Sequence, residues 1–321
     1  MVRGAMVPRA LVFLALLGLA CGGTGSRAET APNAAPSLRP CPERGVAVRV
    51  LGSGGPIVDD GRASSGYLLL VDGEPRLLVD AGGGVALRMA QAGVAPRALG
   101  GVLLSHVHVD HTADFVALLK SASFSSRADA LPVVGPSGDD PFPALGPFLE
   151  AQLGEAGAWR YLGGYLREEG QPFRLRLDEV DVAGEGRELE VAGLRVEAVG
   201  VPHGPVPALG FVVHAADARV AFAGDQRLDD PRFLARARGA DLLVAHHAIP
   251  EAAEGVGARL HARPSQIGAF ARDAEVGELV LSHHMQRSLA RLDEARALIA
   301  HRYDGPVHVA EDLDCYGVAA R

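Results

Sequence analysis

The chain has little positive charge and almost no lysine. Lys120 is its only lysine, and its 31 basic residues are outnumbered by 39 acidic ones, which gives a net charge of −8 at pH 7. Long-range attraction of a polyanion requires a basic surface, and only a local basic patch stays open with this balance. The composition therefore disfavours a nucleic acid as a partner.

A long apolar run near the N-terminus is also missing. Residues Ala10 to Ala20 are apolar and follow Arg3 and Arg9, but this run is too short to cross a bilayer as a helix. The pattern predicts an export signal over residues 1–20. We expect cleavage before Cys21, as in a bacterial lipoprotein, which would leave a periplasmic protein anchored by a lipid on that cysteine.

A second cleavage point stays open for this signal. A cut after Ala28 satisfies the preference for small residues at the cleavage site and would release a soluble periplasmic protein. Residues 21–42 are rich in Gly, Ala, Pro, Ser and Thr and show no hydrophobic period, so they predict a flexible tether. Residues 43–321 form the predicted folded domain.

Cysteine is scarce, with three residues in the whole chain. Once Cys21 is set aside, Cys41 and Cys315 remain. They could form a disulfide between the end of the tether and the last strand, as an oxidising compartment permits, or stay unpaired thiols. The sequence does not decide between these alternatives.

The folded part alternates apolar strand patterns with helical patterns, and Gly and Asp separate them. Two similar halves, each with strands followed by strand-helix units, predict an α/β protein in which two mixed sheets pack face to face with helices outside, an αββα sandwich. The predicted strands cover residues 46–51, 66–71, 76–79, 101–105, 194–201, 209–214, 220–223, 242–245, 279–282 and 307–309. The predicted helices cover residues 85–92, 110–120, 231–237 and 291–301, and one more begins at Pro264.

Residues 139–190 separate the two halves. This segment contains Trp159, Tyr161 and Tyr165, and it carries 12 acidic residues against 5 basic ones. We interpret it as an insertion that forms either a lid over the site or a packed pair of surface helices.

The stretch His106-Val107-His108-Val109-Asp110-His111 places three imidazoles and one carboxylate where a strand meets a helix. These donors suit zinc. At a strand end, His106 and His108 can converge on one ion, while Asp110 and His111 face a second.

This stretch resembles the HxHxDH signature of the metallo-β-lactamase superfamily. The resemblance implies a metal-dependent hydrolase with two divalent ions, most simply Zn²⁺, and it covers residues 46–310. It implies that His203 completes the first site, that Asp225 bridges the two ions, and that His283 completes the second site. His284 is the alternative to His283. The same resemblance implies that Asp80 supports the ligands by hydrogen bonds rather than binding a metal.

The surroundings of His203 are similar to those in tRNase Z and the related arylsulfatases and phosphodiesterases. By this resemblance, His247 occupies the place of a glutamate that partners His261, the proton donor to the leaving group. Asp110 would orient the metal-bridging hydroxide or take its proton. We interpret His246 as a buried histidine at the end of a strand, with no role in the reaction.

The resulting hypothesis is an exported binuclear hydrolase of phosphodiesters or sulfate esters of small molecules. The alternatives are a tRNase Z-like endoribonuclease, a lactonase or β-lactamase-type hydrolase, and a metal-binding scaffold without activity. We expect a small-molecule ester as the substrate and a nucleic acid as an unlikely one. Association into a homodimer is left open by the sequence.

Overall fold

A computed structural model describes residues 37–124, 126–167 and 169–320 of the chain. The predicted export signal, with Cys21, and most of the predicted tether lie outside these ranges. In the described part, no helix has the length and apolar character needed to span a membrane.

The described residues form fourteen strands, and alternating or fully apolar runs account for most of them. The strands are β1 (Val46–Gly52), β2 (Gly66–Val71), β3 (Glu74–Val79), β4 (Gly101–Leu103), β5 (Leu131–Pro136), β6 (Leu175–Val180), β7 (Arg187–Val191), β8 (Leu194–His203), β9 (Val206–Ala215), β10 (Ala218–Phe222), β11 (Leu242–His246), β12 (Glu278–Ser282), β13 (Val307–Val309) and β14 (Cys315–Val318).

Ten α-helices connect or flank these strands in the described ranges, together with short 3₁₀ turns at Pro96–Ala98 and Arg160–Leu162. The helices are α1 (Val85–Gln91), α2 (Val109–Thr112), α3 (Phe115–Ala122), α4 (Leu145–Leu153), α5 (Gly164–Arg167), α6 (Pro231–Ala237), α7 (Gly255–Leu260), α8 (Pro264–Asp273), α9 (Gln286–Leu289) and α10 (Leu292–Ala300).

The strands form two sheets of seven, and both are mixed. The first has the order β14-β1-β2-β3-β4-β5-β6 and the second the order β13-β12-β11-β10-β9-β8-β7. In each sheet a set of antiparallel strands continues into parallel strands that are connected through helices. The two halves are therefore built alike, as the sequence predicts.

Three buried apolar clusters hold the layers together. One lies between the sheets and contains Val48, Leu69, Phe211 and Val244. A second packs the outer face of the first sheet against α1, α3 and α4, and the third packs the outer face of the second sheet against α6, α8 and α10. This is a four-layer αββα sandwich, which confirms the predicted fold class.

Two predicted segments differ in the structure. The helix predicted over residues 110–120 is divided into α2 and α3, and α2 begins after His108, one residue earlier than predicted. The side chain of Asp110 is buried.

The segment 139–190 is not an insertion along its whole length. It contains α4 and α5, but its second half forms β6 and β7, each of which lies at the edge of a sheet. That half is therefore part of the sandwich and is not a lid. Its charged residues alternate with apolar ones because one face of an edge strand is solvated.

Cys41 and Cys315 form a disulfide that joins the segment before β1 to strand β14. The two residues are 274 positions apart in the chain. A crosslink over so long a loop restricts the unfolded chain strongly, so the disulfide stabilises the fold.

The variant Cys315→Ser is expected to have a free energy of unfolding about 2–5 kcal/mol lower than the parent protein. Guanidinium denaturation with and without reductant measures this difference. Cys21→Ser is the matched control and is expected to unfold like the parent. Unfolding curves that coincide for the parent with and without reductant would show that the disulfide does not form.

Candidate metal centre

The chemistry-bearing side chains lie at one edge of the sandwich, between the two sheets. His203 is the last residue of β8, Asp225 follows β10 by three residues, and His283 follows β12 directly. The strands β10, β11 and β12 run parallel, so their carboxyl ends meet at the same edge. The HxHxDH stretch reaches this edge from the first sheet, after β4.

Two groups of ligand atoms at this edge contain the residues that the sequence predicts as ligands. In the first group, one atom from each of four residues lies within 4.8 Å of the others, and these residues are His106, His108, His203 and Asp225. The second group meets the same condition and contains Asp110, His111 and His283. The structure thus brings together all seven residues that the sequence predicts as ligands.

Asp225 lies between the two groups. Its Oδ2 atom is 3.5 Å from Nε2 of His203 in the first group and 3.7 Å from Nε2 of His111 in the second. Its Oδ1 atom is 3.3 Å from Nε2 of His283. One carboxylate therefore faces donors of both groups, which is the position that a bridging ligand requires.

Hydrogen bonds to the Nδ1 atoms direct the Nε2 atoms of three imidazoles inward. Nδ1 of His111 contacts Oδ2 of Asp80 at 2.8 Å, and Nδ1 of His203 contacts the carbonyl oxygen of Leu260 at 3.0 Å. Nδ1 of His106 lies 3.0 Å from the hydroxyl of Ser105. Partners of this kind fix the orientation of metal-binding imidazoles.

Asp80 supports the cluster in the way that the sequence resemblance implies. It accepts hydrogen bonds from the backbone N–H of Ser105 at 2.7 Å and from the Ser105 hydroxyl at 2.9 Å, besides its contact with His111. Asp80 and His283 both have positive φ angles, 60° and 54°, which are uncommon for residues with a Cβ atom. Such backbone strain is typical of functional sites, where a side chain must point in one direction.

Unsatisfied buried nitrogens test whether the cluster fits metal ions. Among the described residues, the Nε2 atoms of His111 and His203 are buried and form no hydrogen bond. A buried polar atom without a partner is costly unless something else binds it. Imidazole nitrogens and carboxylate oxygens are suitable ligands for a divalent ion, so the residues fit such an ion.

Gly55 allows the loop after β1 to pass close to the second group. A Cβ atom at this position would lie 2.7 Å from Cε1 of His283. Only glycine permits this approach of backbone to imidazole.

The protein family and the relatives that match this chain agree with a metal-binding site at this edge. Residues 75–284 match the family described as the beta-lactamase superfamily domain. The chain belongs to the beta-lactamase superfamily. A ribonuclease Z of Mycobacterium sp. (strain KMS) is 32% identical over 84% of this chain and 94% of its own, and a ribonuclease Z of Mycobacterium marinum is 30% identical over 86% and 100%.

Solved structures share the fold of this superfamily member. The metallo-β-lactamase fold protein YhfI from Bacillus subtilis superimposes with a TM-score of 0.66, at 22% identity over 84% of this chain and 98% of that one. The short form of human tRNase Z gives 0.65, at 20% identity over 85% and 99%. The protein is a metal-dependent hydrolase with the metallo-β-lactamase fold, and its His/Asp cluster indicates divalent metal ions.

The expectation of a small-molecule partner, with nucleic acid unlikely, is wrong. It is overturned by relatives named ribonuclease Z that match nearly the whole chain. The expectation rested on the net charge of −8, but net charge describes long-range attraction and not the contacts at one site. Divalent ions bound by the cluster would themselves supply local positive charge.

Of the two predicted acid-base partners, His261 lies beside the metal-ligand cluster and His247 does not contact it. The His261 ring lies 5.4 Å from that of His203 and 5.6 Å from that of His283, so it borders the cluster. His247 contacts His284 instead, with their Nδ1 atoms 3.4 Å apart. Nε2 of His284 contacts the carbonyl oxygen of Leu281, so this alternative ligand is directed away from the cluster.

His246 is the site residue that the sequence analysis missed. It is the last residue of β11, is buried, and contacts Oδ1 of Asp225 through Nδ1 at 2.6 Å. Burial lowers the pKa of His246 to about 4, so the ring is neutral at pH 7. A histidine next to His247 at the end of a strand gives no sign in the sequence of which carboxylate it meets.

Metal binding is expected to be pH-dependent through His111. Burial acts to lower the pKa of His111, but the carboxylates of Asp80 and Asp110 raise it well above the ordinary value. The metal-free ring therefore holds a proton that an ion must displace. Zinc affinity should fall as the pH is lowered, by up to about tenfold per unit for one displaced proton.

Calorimetric titrations in buffers of different ionisation enthalpy measure this proton release. His301→Gln, at an exposed histidine, should leave it unchanged. Equal zinc affinity across the range, with no proton released, would contradict the raised pKa of His111.

Proposed function

We propose that the protein binds two zinc ions and uses them to cleave phosphodiester bonds of RNA, as a tRNase Z-like endoribonuclease. The observation that carries the proposal is the joint presence of two ligand groups with a shared carboxylate and relatives named ribonuclease Z along nearly the whole chain. Cleavage of a phosphodiester bond by two metal ions requires that both ligand groups be intact.

The ligands of the first ion would be His106, His108 and His203, those of the second would be Asp110, His111 and His283, and Asp225 would serve both. Imidazole with carboxylate is a donor set that suits zinc. When bound, two such ions polarise a phosphoryl oxygen and make water acidic enough to attack at neutral pH. The remaining steps depend on the protein's own side chains.

Asp110 is suited to orient the attacking water as a hydrogen-bond acceptor. Burial acts to raise its pKa, but the neighbouring His111 and His283 lower it to about 2, so the carboxylate is ionised at neutral pH. Its Oδ2 atom lies 3.2 Å from Nε2 of His283 and 3.5 Å from Nε2 of His111. An ionised carboxylate at this point orients a nucleophile between the two ligand groups.

His261 is suited to contact the leaving oxygen. It is buried at the rim of the cluster, and its Nδ1 atom has no hydrogen-bond partner among the described residues. Burial lowers its pKa to about 3, so the ring is neutral and offers an N–H for a hydrogen bond. Because His247 contacts His284, His261 would act without the partner that the sequence resemblance implies.

A cleavage assay on end-labelled RNA tests the proposal. The zinc-loaded protein should cut a single-stranded RNA or a precursor tRNA, and it should act more weakly on bis-p-nitrophenyl phosphate, which lacks the flanking nucleotides. Nitrocefin, a lactone and an aryl sulfate serve as alternative substrates. Turnover of one of these three without cleavage of any phosphodiester would overturn the assignment to RNA.

Phe142 is placed to stack on a base of the substrate. It is half-exposed, its ring lies 5.9 Å from the ring of His108 in an edge-to-face arrangement, and its carbonyl accepts a hydrogen bond from the backbone of Asp139 at 2.7 Å. Stacking of a base on an aromatic ring contributes about 1–3 kcal/mol. The variant Phe142→Ala should therefore reduce kcat/KM for RNA about 5- to 100-fold.

The same variant should change kcat/KM for bis-p-nitrophenyl phosphate much less, since this substrate has no base. Phe124→Ala, at an exposed phenylalanine after α3, is the matched control. Equal losses on both substrates would show that Phe142 supports the site structurally and does not contact a base.

We also propose that the protein is exported and anchored through a lipid on Cys21. The signal-like residues 1–20 support this location, and so does the Cys41–Cys315 disulfide, because disulfides persist in oxidising compartments. Cell fractionation with mass spectrometry of the mature N-terminus distinguishes a lipid on Cys21 from a cut after Ala28. Full-length protein in the cytosol would contradict export.

A further inference from the structure

A chain of buried polar side chains connects Asp225 to the opposite sheet. Nδ1 of His246 is 2.6 Å from Oδ1 of Asp225, and Nε2 of His246 is 3.1 Å from the hydroxyl of Tyr67. The Tyr67 hydroxyl lies 3.0 Å from the hydroxyl of Ser282. All four side chains are buried. Tyr67 belongs to β2 in the first sheet, whereas the other three residues follow or end strands of the second.

The chemistry of the groups fixes the direction of these hydrogen bonds. An ionised carboxylate can only accept, so at 2.6 Å Nδ1 of His246 must donate to Asp225. A neutral imidazole has one N–H, which leaves Nε2 to accept from the hydroxyl of Tyr67.

In this arrangement the two carboxylate oxygens of Asp225 make different contacts. Oδ1 is held by His246 and also lies 3.3 Å from Nε2 of His283, while Oδ2 faces Nε2 of His106 at 3.8 Å, of His203 at 3.5 Å and of His111 at 3.7 Å. Without the hydrogen bond to Oδ1, the carboxylate could rotate about its Cβ–Cγ bond and lose this orientation. A buried N–H donor at Oδ1 therefore holds the carboxylate with Oδ2 directed toward these three nitrogens.

We propose that His246 is a positioning residue that holds Asp225 in its metal-bridging orientation, and that Tyr67 fixes the His246 ring from the opposite sheet. The inference rests on the proposed role of Asp225. It assigns a task to a residue that the sequence motif does not mark, and it couples the metal centre to the packing of the two sheets.

A second role for His246 has to be distinguished by experiment. One ligand atom from each of Asp225, His246 and His283 also lies within 4.8 Å of the others, so His246 could itself bind an ion. Both of its nitrogens are engaged in hydrogen bonds, however, which leaves neither one free for a metal. A positioning residue changes metal affinity without changing the number of ions, whereas a ligand changes both.

The test uses the full-length mature protein and the variants His246→Asn, His246→Leu and Tyr67→Phe, with His301→Gln as the control at an exposed histidine. The Asn amide can place an N–H where Nδ1 of His246 lies, and Leu cannot. Zinc affinity is measured by competition with a chromogenic chelator, zinc content by elemental analysis, and the ligand field by the absorption spectrum of the Co²⁺ form. Circular dichroism and thermal unfolding verify folding of each variant.

We expect His246→Leu to retain two ions but bind the weaker one about 10- to 100-fold less tightly, the range seen for outer-shell partners of metal ligands. His246→Asn should recover most of that affinity, and Tyr67→Phe should show a smaller loss with an altered Co²⁺ spectrum. If His246→Leu does not fold, the inference is tested by comparing the zinc affinity and the Co²⁺ spectrum of His246→Asn and Tyr67→Phe with those of the parent.

Unchanged zinc affinity and an unchanged Co²⁺ spectrum in the folded variants would overturn the inference. So would the loss of one whole ion in both His246 variants while Tyr67→Phe keeps two, because this pattern identifies a ligand. These readouts need no RNA. A protein that binds two ions in this way but leaves RNA intact would refute the proposed activity and retain the role of His246.

Discussion

Asp225→Asn is expected to lower kcat/KM for RNA cleavage about a thousandfold or more. Asp225 faces both ligand groups, with Oδ2 3.5 Å from Nε2 of His203 and 3.7 Å from Nε2 of His111. An amide carries no charge to bridge two cations. The metal contribution to the transition state is several kcal/mol, and each 1.4 kcal/mol corresponds to about a tenfold change in rate.

The matched control for this variant is Asp229→Asn, four residues further along at an exposed position. It should keep the parent's activity and zinc content. Asp225→Asn should also contain fewer than two ions per chain, since both groups lose a shared ligand. An Asp225→Asn protein that is folded, holds two ions and cleaves RNA at the parent's rate would remove Asp225 from the mechanism.

Removal of the metal ions by a chelator is expected to reduce RNA cleavage by a similar factor, about a thousandfold, and zinc should restore it. Six of the seven proposed ligands are buried and His108 is half-buried. None of these side chains supplies the chemistry of the ions by itself. The assay compares chelator-treated, zinc-restored and manganese-restored protein.

Circular dichroism of the metal-free protein is the control for this experiment. The apolar clusters and the disulfide do not depend on the ions, so the secondary structure should persist. If protein without detectable metal still cleaves RNA at the original rate, the reaction does not use the cluster. If the fold is lost together with the ions, the centre is structural as well, and activity alone cannot assign its role.

The sequence predicts the sandwich because its strands bury apolar residues in a regular pattern. The strands β2 and β13 and the helix α6 have the predicted bounds. The edge strands β6 and β7 were not predicted because a solvated edge strand such as Arg187–Val191 carries charges and resembles a surface loop. Pairing with the rest of a sheet, which lies far away in sequence, decides its structure.

The ligand set follows from the sequence for a different reason. Each proposed ligand lies shortly after a strand or at its end, or in the short helix α2, within a recognisable local motif, and the fold then brings these segments to one edge. His246 has no such motif. Its partners Tyr67 and Asp225 are 179 and 21 residues away, and a contact over these separations depends on the packing of two sheets.

The predicted class of substrate was wrong, whereas the predicted fold was confirmed. A net charge of −8 and a single lysine describe the average surface, whereas RNA would be bound at one edge by cations, by Phe142 and by local contacts. The contacts of His246 and His247 also could not be inferred from the sequence. Adjacent residues His246 and His247 at a strand end face opposite sides, and only the structure shows which of them reaches Asp225.

The most direct test of the central claim is anomalous diffraction at the zinc edge from crystals of the zinc-loaded protein. The account predicts two peaks a few ångströms apart, about 3.5–4 Å in comparable two-metal sites. One peak should contact His106, His108 and His203, the other Asp110, His111 and His283, and both should contact Asp225. A single peak, or peaks outside these residues, would contradict a binuclear centre.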